Sequence, residues 1–275
     1  MNDFRGHLTE LSERRFTGVL RIEGSPAGVM HLREGLIAGI VTPGAPGPES
    51  LLLKSGRITE REWSVAFAAG AAEERVAEEL TATAGVGAAE LEVVTVSALY
   101  DAAFTLALNR PERWQAEPGA VNLPLPVRPG VHPRDLLREN RRRLSELSGR
   151  WGSPQQLVMH RVTGRAAPSG VANPRFRDIL MHANGRHTPR DIAFLIGRGT
   201  FAVVTDIVSM TARGLLDGRP APAPTGPAGA AGAAIRTPAR ETPAQGGGAP
   251  AAVPPVPLPP AALPRRRPGT NRPTN

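Results

Sequence analysis

The sequence contains no cysteine, a single lysine (Lys54) and a single tyrosine (Tyr100), and only 4% of its residues are aromatic. Without cysteine, disulfides, thiolate metal sites and cysteine nucleophiles are excluded together. A chain of 275 residues does not need such staples, because it can bury the core of one large or two small domains. No apolar run approaches the roughly 18 residues of a membrane span, and MNDFRGHLTE lacks the basic-then-apolar layout of an export signal. A cytoplasmic protein with no membrane contact is therefore expected. Phosphate loops of the GxxxxGK type, GxSxG elbows and a GxGxxG after a strand are also missing. Gly197-Arg198-Gly199-Thr200 offers only a faint anion cradle, better explained as a turn. His182 and His187 lie five apart across a turn, with no carboxylate at a zinc-site spacing. The expectation is a non-enzymatic chain without catalytic residues, metal or cofactor.

What is abundant is arginine, glycine and proline. The formal charge is +8, but its distribution matters more than its sum. After Gly218 seven arginines stand against Glu241 alone, a local +6, which leaves only +2 for the rest. Between Val131 and Arg165 eight arginines face Asp135, Glu139 and Glu146, a second excess of +5 in sequence able to fold. The tail from Arg219 holds fifteen prolines and no aromatic residue. It has too little apolar surface to offset its ordering entropy and reads as disordered.

Along the first hundred residues, FRGHLTELSERRF is amphipathic, and TGVLRIEG alternates Leu20 and Ile22 against Val19 and Arg21 as a half-buried strand does. GVMHLREGLIAGIVTPG reads as an antiparallel hairpin turning at Arg33-Glu34-Gly35, where glycine supplies a positive backbone angle. ESLLLKSG is a short helix ended by Gly56, and Thr59 with Glu62 forms a capping box for the next, running to about Ala69. Further helices are predicted near Glu73 to Ala84 and Thr95 to Leu108. RPERWQAEPG adds an edge strand whose Trp114 is a core or lid aromatic.

Within this region Phe4, Gly6, Leu8, Gly18, Leu20, Gly28, Glu34, Gly35, Ile37, Ala38, Leu53 and Gly56 carry a resemblance to the PATAN family of bacterial regulatory domains, over roughly residues 4 to 100. The resemblance implies an interaction module fused to a signalling or output domain, and it brings no catalytic residues. The chain departs from the family pattern in its short first helix.

Five prolines between Pro118 and Pro133 read as a semi-rigid linker. Helix is predicted again from Arg134 to Leu147, with Leu136, Leu137, Leu144 and Leu147 apolar and Arg141, Arg142 and Arg143 spread around the cylinder. PRFRDILMHANG forms a helix closed by Gly185. Thr188-Pro189 opens a second, and Gly197 and Gly199 turn the chain into a third from Thr200 to Arg213. In that third helix Phe201, Val204, Ile207, Val208 and Leu215 form the apolar side, while Ala202, Thr205, Asp206, Ser209 and Arg213 form the other. The order of elements over residues 174 to 218 resembles winged-helix or helix-turn-helix domains of bacterial transcription regulators.

The predicted architecture is α+β. A PATAN-like domain with a small antiparallel sheet spans 1–117, a Pro-rich linker 118–133, a mainly helical winged-helix-like domain 134–218 and a disordered tail 219–275. Two functions fit. In one, the protein is a transcriptional regulator touching DNA mainly through phosphates, using Arg141, Arg142, Arg143, Arg186, Arg190 and Arg198 with Thr205, Ser209 and Arg213 on the last helix. In the other, both modules bind proteins, as an adaptor in a small-GTPase or response-regulator circuit. Short side chains on the third helix, Asp206 at its centre, where it would repel phosphate, and the missing second wing strand speak for the adaptor, while the three-helix architecture and the arginines put the transcriptional regulator first and leave the adaptor as the alternative.

Overall fold

Strand alternation and tight turns build the sheet, and one long helix ties it to everything else. The computed structural model describes residues 4–109 and 111–217, so the tail read from Arg219 lies outside the described residues. Helix α1 (Phe4–Glu13) precedes strands β1 (Gly18–Glu23), β2 (Gly28–Arg33) and β3 (Leu36–Val41). The β2–β3 turn is two residues long, with positive φ at both Glu34 (50°) and Gly35 (80°). That primed geometry matches the twist of the strands it joins. A side chain at position 35 would also strike the Ser12 carbonyl, so glycine is required twice over.

Strand β4 (Arg113–Pro118) pairs antiparallel with β1 and completes a four-stranded sheet in the order β3-β2-β1-β4. It is the edge strand expected from RPERWQAEPG. Leu20, Ile22, Met30, Leu32, Ile37 and Ile40 pack against α1 and against Leu99, Ala102, Ala103 and Leu106 of α5 (Ala88–Ala107). That helix begins seven residues before the predicted Thr95. Leu91 on its added turns packs with α2 (Pro48–Lys54), α3 (Glu60–Gly70) and α4 (Val76–Ala84) in a separate small core around Trp63. The capping box at Thr59 and Glu62 is formed, satisfying donors at the start of α3.

Residues 119–131 have the prolines of a spacer and the contacts of a strap. Ile37 and Val131 exchange backbone hydrogen bonds of 2.8 and 2.9 Å, and Val127 N–H donates to the Ala38 carbonyl at 2.7 Å. The otherwise open edge of β3 is thereby covered, which denies other strands a template. Val121, Leu123, Leu125 and Val127 are buried, and Leu123 lies directly on Gly39. Any side chain at Gly39 would displace it.

Beyond the strap come α6 (Pro133–Arg150) and a short helix that the sequence reading missed, α7 (Pro154–Met159). Three more helices follow: α8 (Pro174–His182), α9 (Pro189–Ile196) and α10 (Thr200–Ala212). Thr188 and Asp191 form a capping box for α9, and Gly197 ends it with φ of 63°. Phe104 of α5 and Leu108 just after it join the core of these helices, together with Leu147, Trp151, Phe176, Ile179, Ile192, Val204 and Ile207. Helix α5 thus reaches three apolar clusters, and residues 101–106 are buried without a break.

Candidate functional site

The site proposed from sequence centres on α10, and its first turn is where the chain concentrates buried charge. Gly199 precedes the helix and has no side chain to cap it. Asp101 from the middle of α5 fills that role, its Oδ1 accepting from the Phe201 N–H at 3.4 Å. A carboxylate there also meets the positive end of the helix dipole. Gly199 is the consequence: a Cβ at that position would lie 2.2 Å from Asp101 Oδ2.

Arg143 of α6 completes the centre. Its Nη1 donates to Asp101 Oδ1 at 3.1 Å and its Nε to Glu139 at 2.9 Å. The guanidinium lies over the Phe201 ring, 4.6 Å from the centroid, and 5.6 Å from that of Tyr100. Phe201 in turn meets Phe104 edge to face at 5.3 Å. Burial pushes the Asp101 carboxyl above the usual range, while Arg143 and the backbone donors at Phe201 and Thr200 pull it back. Three helices far apart in sequence, α5, α6 and α10, are joined by this cluster.

The other residues proposed from sequence make local contacts or stand exposed. Arg141 and Arg142 are exposed on α6. Arg142 grips Glu139 at 2.8 Å and Glu146 at 3.1 Å, and chiefly through the first contact the Glu139 carboxyl is held down to about 2. Arg186 and Arg190 are exposed on either side of Thr188, Arg190 lying 3.7 Å from Asp191. Arg198 is mostly buried and bound to Asp206 at 2.7 Å, so the acid read as repelling phosphate is already paired. Thr205 Oγ1 donates to the Phe201 carbonyl at 2.9 Å, and Ser209 Oγ accepts from Arg150 at 3.2 Å. Arg213 lies over the Phe176 ring at 5.5 Å.

Helix α10 also has more buried surface than one stripe. Val203 and Met210, outside the predicted apolar side, are fully buried with Val204, Ile207 and Val208. It packs against α5, α6, α8 and α9, and within the helix Ala202 and Ala212 are exposed while Phe201, Thr205, Asp206, Ser209 and Thr211 are half-buried. Of a wing, the structure holds isolated bridges, Gly164 with Leu216 and Thr163 with Asn184. The partner for the chain after α10 therefore comes from the loop between α7 and α8, upstream of the three-helix unit.

His187 Nδ1 lies 3.1 Å from the His182 carbonyl oxygen, and the two rings meet edge to face at 6.2 Å. Among the described residues no three His, Asp or Glu side chains gather as a metal site, and no single helix is long and apolar enough to cross a membrane. On the outer surface of the same helical region, Met159, Met181 and Leu195 are exposed apolar side chains.

Sequence reasoning missed Asp101 as the buried partner of Arg143 and cap of α10. The signal was available: Asp101 is the lone charge in SALYDAAFTLAL, and an isolated carboxylate in a helical apolar run needs a partner when buried. Compared with known proteins, the chain matches no protein-family model, no curated protein and no solved structure.

Proposed function

We propose that this chain is a non-enzymatic regulatory adaptor of the cytoplasm whose C-terminal helices bind a protein partner. The observation that carries the reading is the burial of α10 against four other helices. A groove-reading helix needs a solvent face with side chains long enough to reach base edges or phosphates. Here the exposed positions within the helix are alanines, the half-buried ones include the short Thr205, Ser209 and Thr211, and Arg143 and Arg198 are committed to Asp101 and Asp206. Exposed Met159, Met181 and Leu195, with Arg186 and Arg190 nearby in sequence, supply the apolar and arginine side chains typical of protein interfaces. The resemblances to PATAN and winged-helix modules are compatible with this role.

Two measurements test it. Fluorescence anisotropy with duplex DNA across a salt series is run on the full chain and on a version ending at Gly218. The truncated version is expected to show no sequence preference, and a preferred operator with a steep salt slope would restore the transcription-factor reading. Partner capture from the native cytoplasm is then compared between the chain and Met181→Glu or Leu195→Glu variants. A specific protein captured by the chain and lost with either variant supports the adaptor. Identical capture profiles from all three refute it.

A further inference from the structure

The sheet has two edges, and the chain treats them differently. The strap bonds to β3, whereas β4 is the last strand on the other side and pairs with β1 alone. Gly119 N–H donates to the Thr17 carbonyl at 3.3 Å, which fixes the phase of that ladder. Antiparallel bonding alternates residue by residue, so Arg113, Gln115 and Glu117 turn their backbone groups to β1, and Trp114, Ala116 and Pro118 turn theirs outward. Pro118 fits this phase, since a proline facing out of an edge gives up no ladder bond. Among the described residues no backbone donor or acceptor reaches the outward groups of Trp114 and Ala116.

The side chains along this edge are complementary to themselves. On the solvent face of β4, Arg113 and Glu117 stand symmetrically about the exposed Gln115. Glu117 holds Arg21 through Oε1 at 3.0 Å, and Arg113 makes no ion pair among the described residues. A second β4 laid antiparallel about a two-fold axis at Gln115 sets each Arg113 opposite the other copy's Glu117. These positions lie between ladder bonds, where facing side chains come closest. In the same register Trp114 and the second copy's Ala116 exchange N–H···O=C bonds, a large side chain facing a small one. Sliding one strand by two residues breaks both charge pairs, and an in-register parallel alignment sets like charges side by side.

We infer that β4 is a homodimer edge, at which two copies of this chain pair antiparallel about Gln115 and join their sheets into one. The inference goes beyond the protein-binding role, because it uses the sheet edge and a second copy of the chain, whereas that role uses the C-terminal helices.

The test is sedimentation velocity on the full chain. A strand-edge contact is small, so dimer is expected to grow over roughly 1–100 µM chain and to weaken with added salt. Arg113→Glu and Glu117→Arg each set like charges opposite one another, and each should weaken self-association about tenfold or more. The two variants are complementary to each other, so an equimolar mixture should recover the dimer. That recovery separates lost pairing from lost folding. Ala116→Pro removes an outward N–H and none from the ladder with β1, so it should leave a folded monomer. Should either charge variant fail to fold, Ala116→Pro decides. A full chain that stays monomeric throughout, a dimer that survives either charge reversal or Ala116→Pro, or a mixture that associates no better than its parts overturns the inference.

Discussion

Asp101 and Arg143 stand 42 residues apart in sequence and 3.1 Å apart in the structure, and both side chains are largely buried. Removing one member of such a pair strands the other in a poorly solvated place, which costs about 3–5 kcal/mol. Arg143→Met is therefore expected to lower unfolding free energy by about that amount in urea titrations. Asp101→Asn should cost less, because Arg143 keeps Glu139 and its two aromatic faces. Equal losses in the two variants would show that the pair acts only through packing. Glu139 adds a pH dependence with a definite sign. Its carboxyl is held at about 2, below its ordinary 4.5, so the folded state binds fewer protons than the unfolded one between these values. Its stabilisation is complete above about pH 4.5 and fades as pH falls towards 2, so the stability gap between the chain and Glu139→Gln should close over that window. A gap of constant size would remove the electrostatic explanation. None of this was legible from the arginine triplet alone. Helical spacing places three arginines around a cylinder, but which one turns inward depends on a carboxylate in another helix.

At the level of elements, local chemistry was readable and partner-dependent chemistry was not. The capping box at Thr59, the helix start at Thr188, the turn at Glu34-Gly35 and the stop at Gly197 depend on neighbours within a few residues, and each is present. The first turns of α5 and the second buried side of α10 depend on helices remote in sequence. Val203 and Met210 look peripheral on a single stripe because a periodicity argument assumes one partner, whereas α10 has four. The junction ahead of α10 gives the sharpest test. Gly199 has φ of −58° and ψ of 139°, which any residue adopts, so only the Asp101 carboxylate keeps a side chain out. Gly199→Ala should cost about 1–3 kcal/mol by overpacking. Combined with Asp101→Ser, which shortens the intruding side chain, the losses should be less than additive in a double-mutant cycle. Strict additivity would mean that the glycine is there for another reason.

On the scale of the whole molecule, the question is whether residues 118–133 separate two folding units or weld one. A proline count favours a spacer, because proline cannot donate to a sheet ladder and stiffens the chain. The segment meets both constraints while donating from Val127 and Val131, residues that keep their N–H groups, to the edge of β3. Cutting at Glu117 would remove this edge cover, take Leu125 and Val127 from two cores and leave Phe104 and Leu108 without their C-terminal neighbours. The complementary piece would lose the carboxylate that caps α10. Residues 1–218 are therefore expected to unfold in one transition with equal calorimetric and van't Hoff enthalpies. The fragments 1–117 and 134–218 should each fail to give a dispersed amide NMR spectrum. Two separated transitions, or a well-dispersed spectrum from either fragment, would show that the strap joins independent domains and that the Asp101–Arg143 cluster is an interface between them. A single transition would instead make α5 the common scaffold, so that a partner gripping the C-terminal helices acts on the same cooperative unit that carries the sheet.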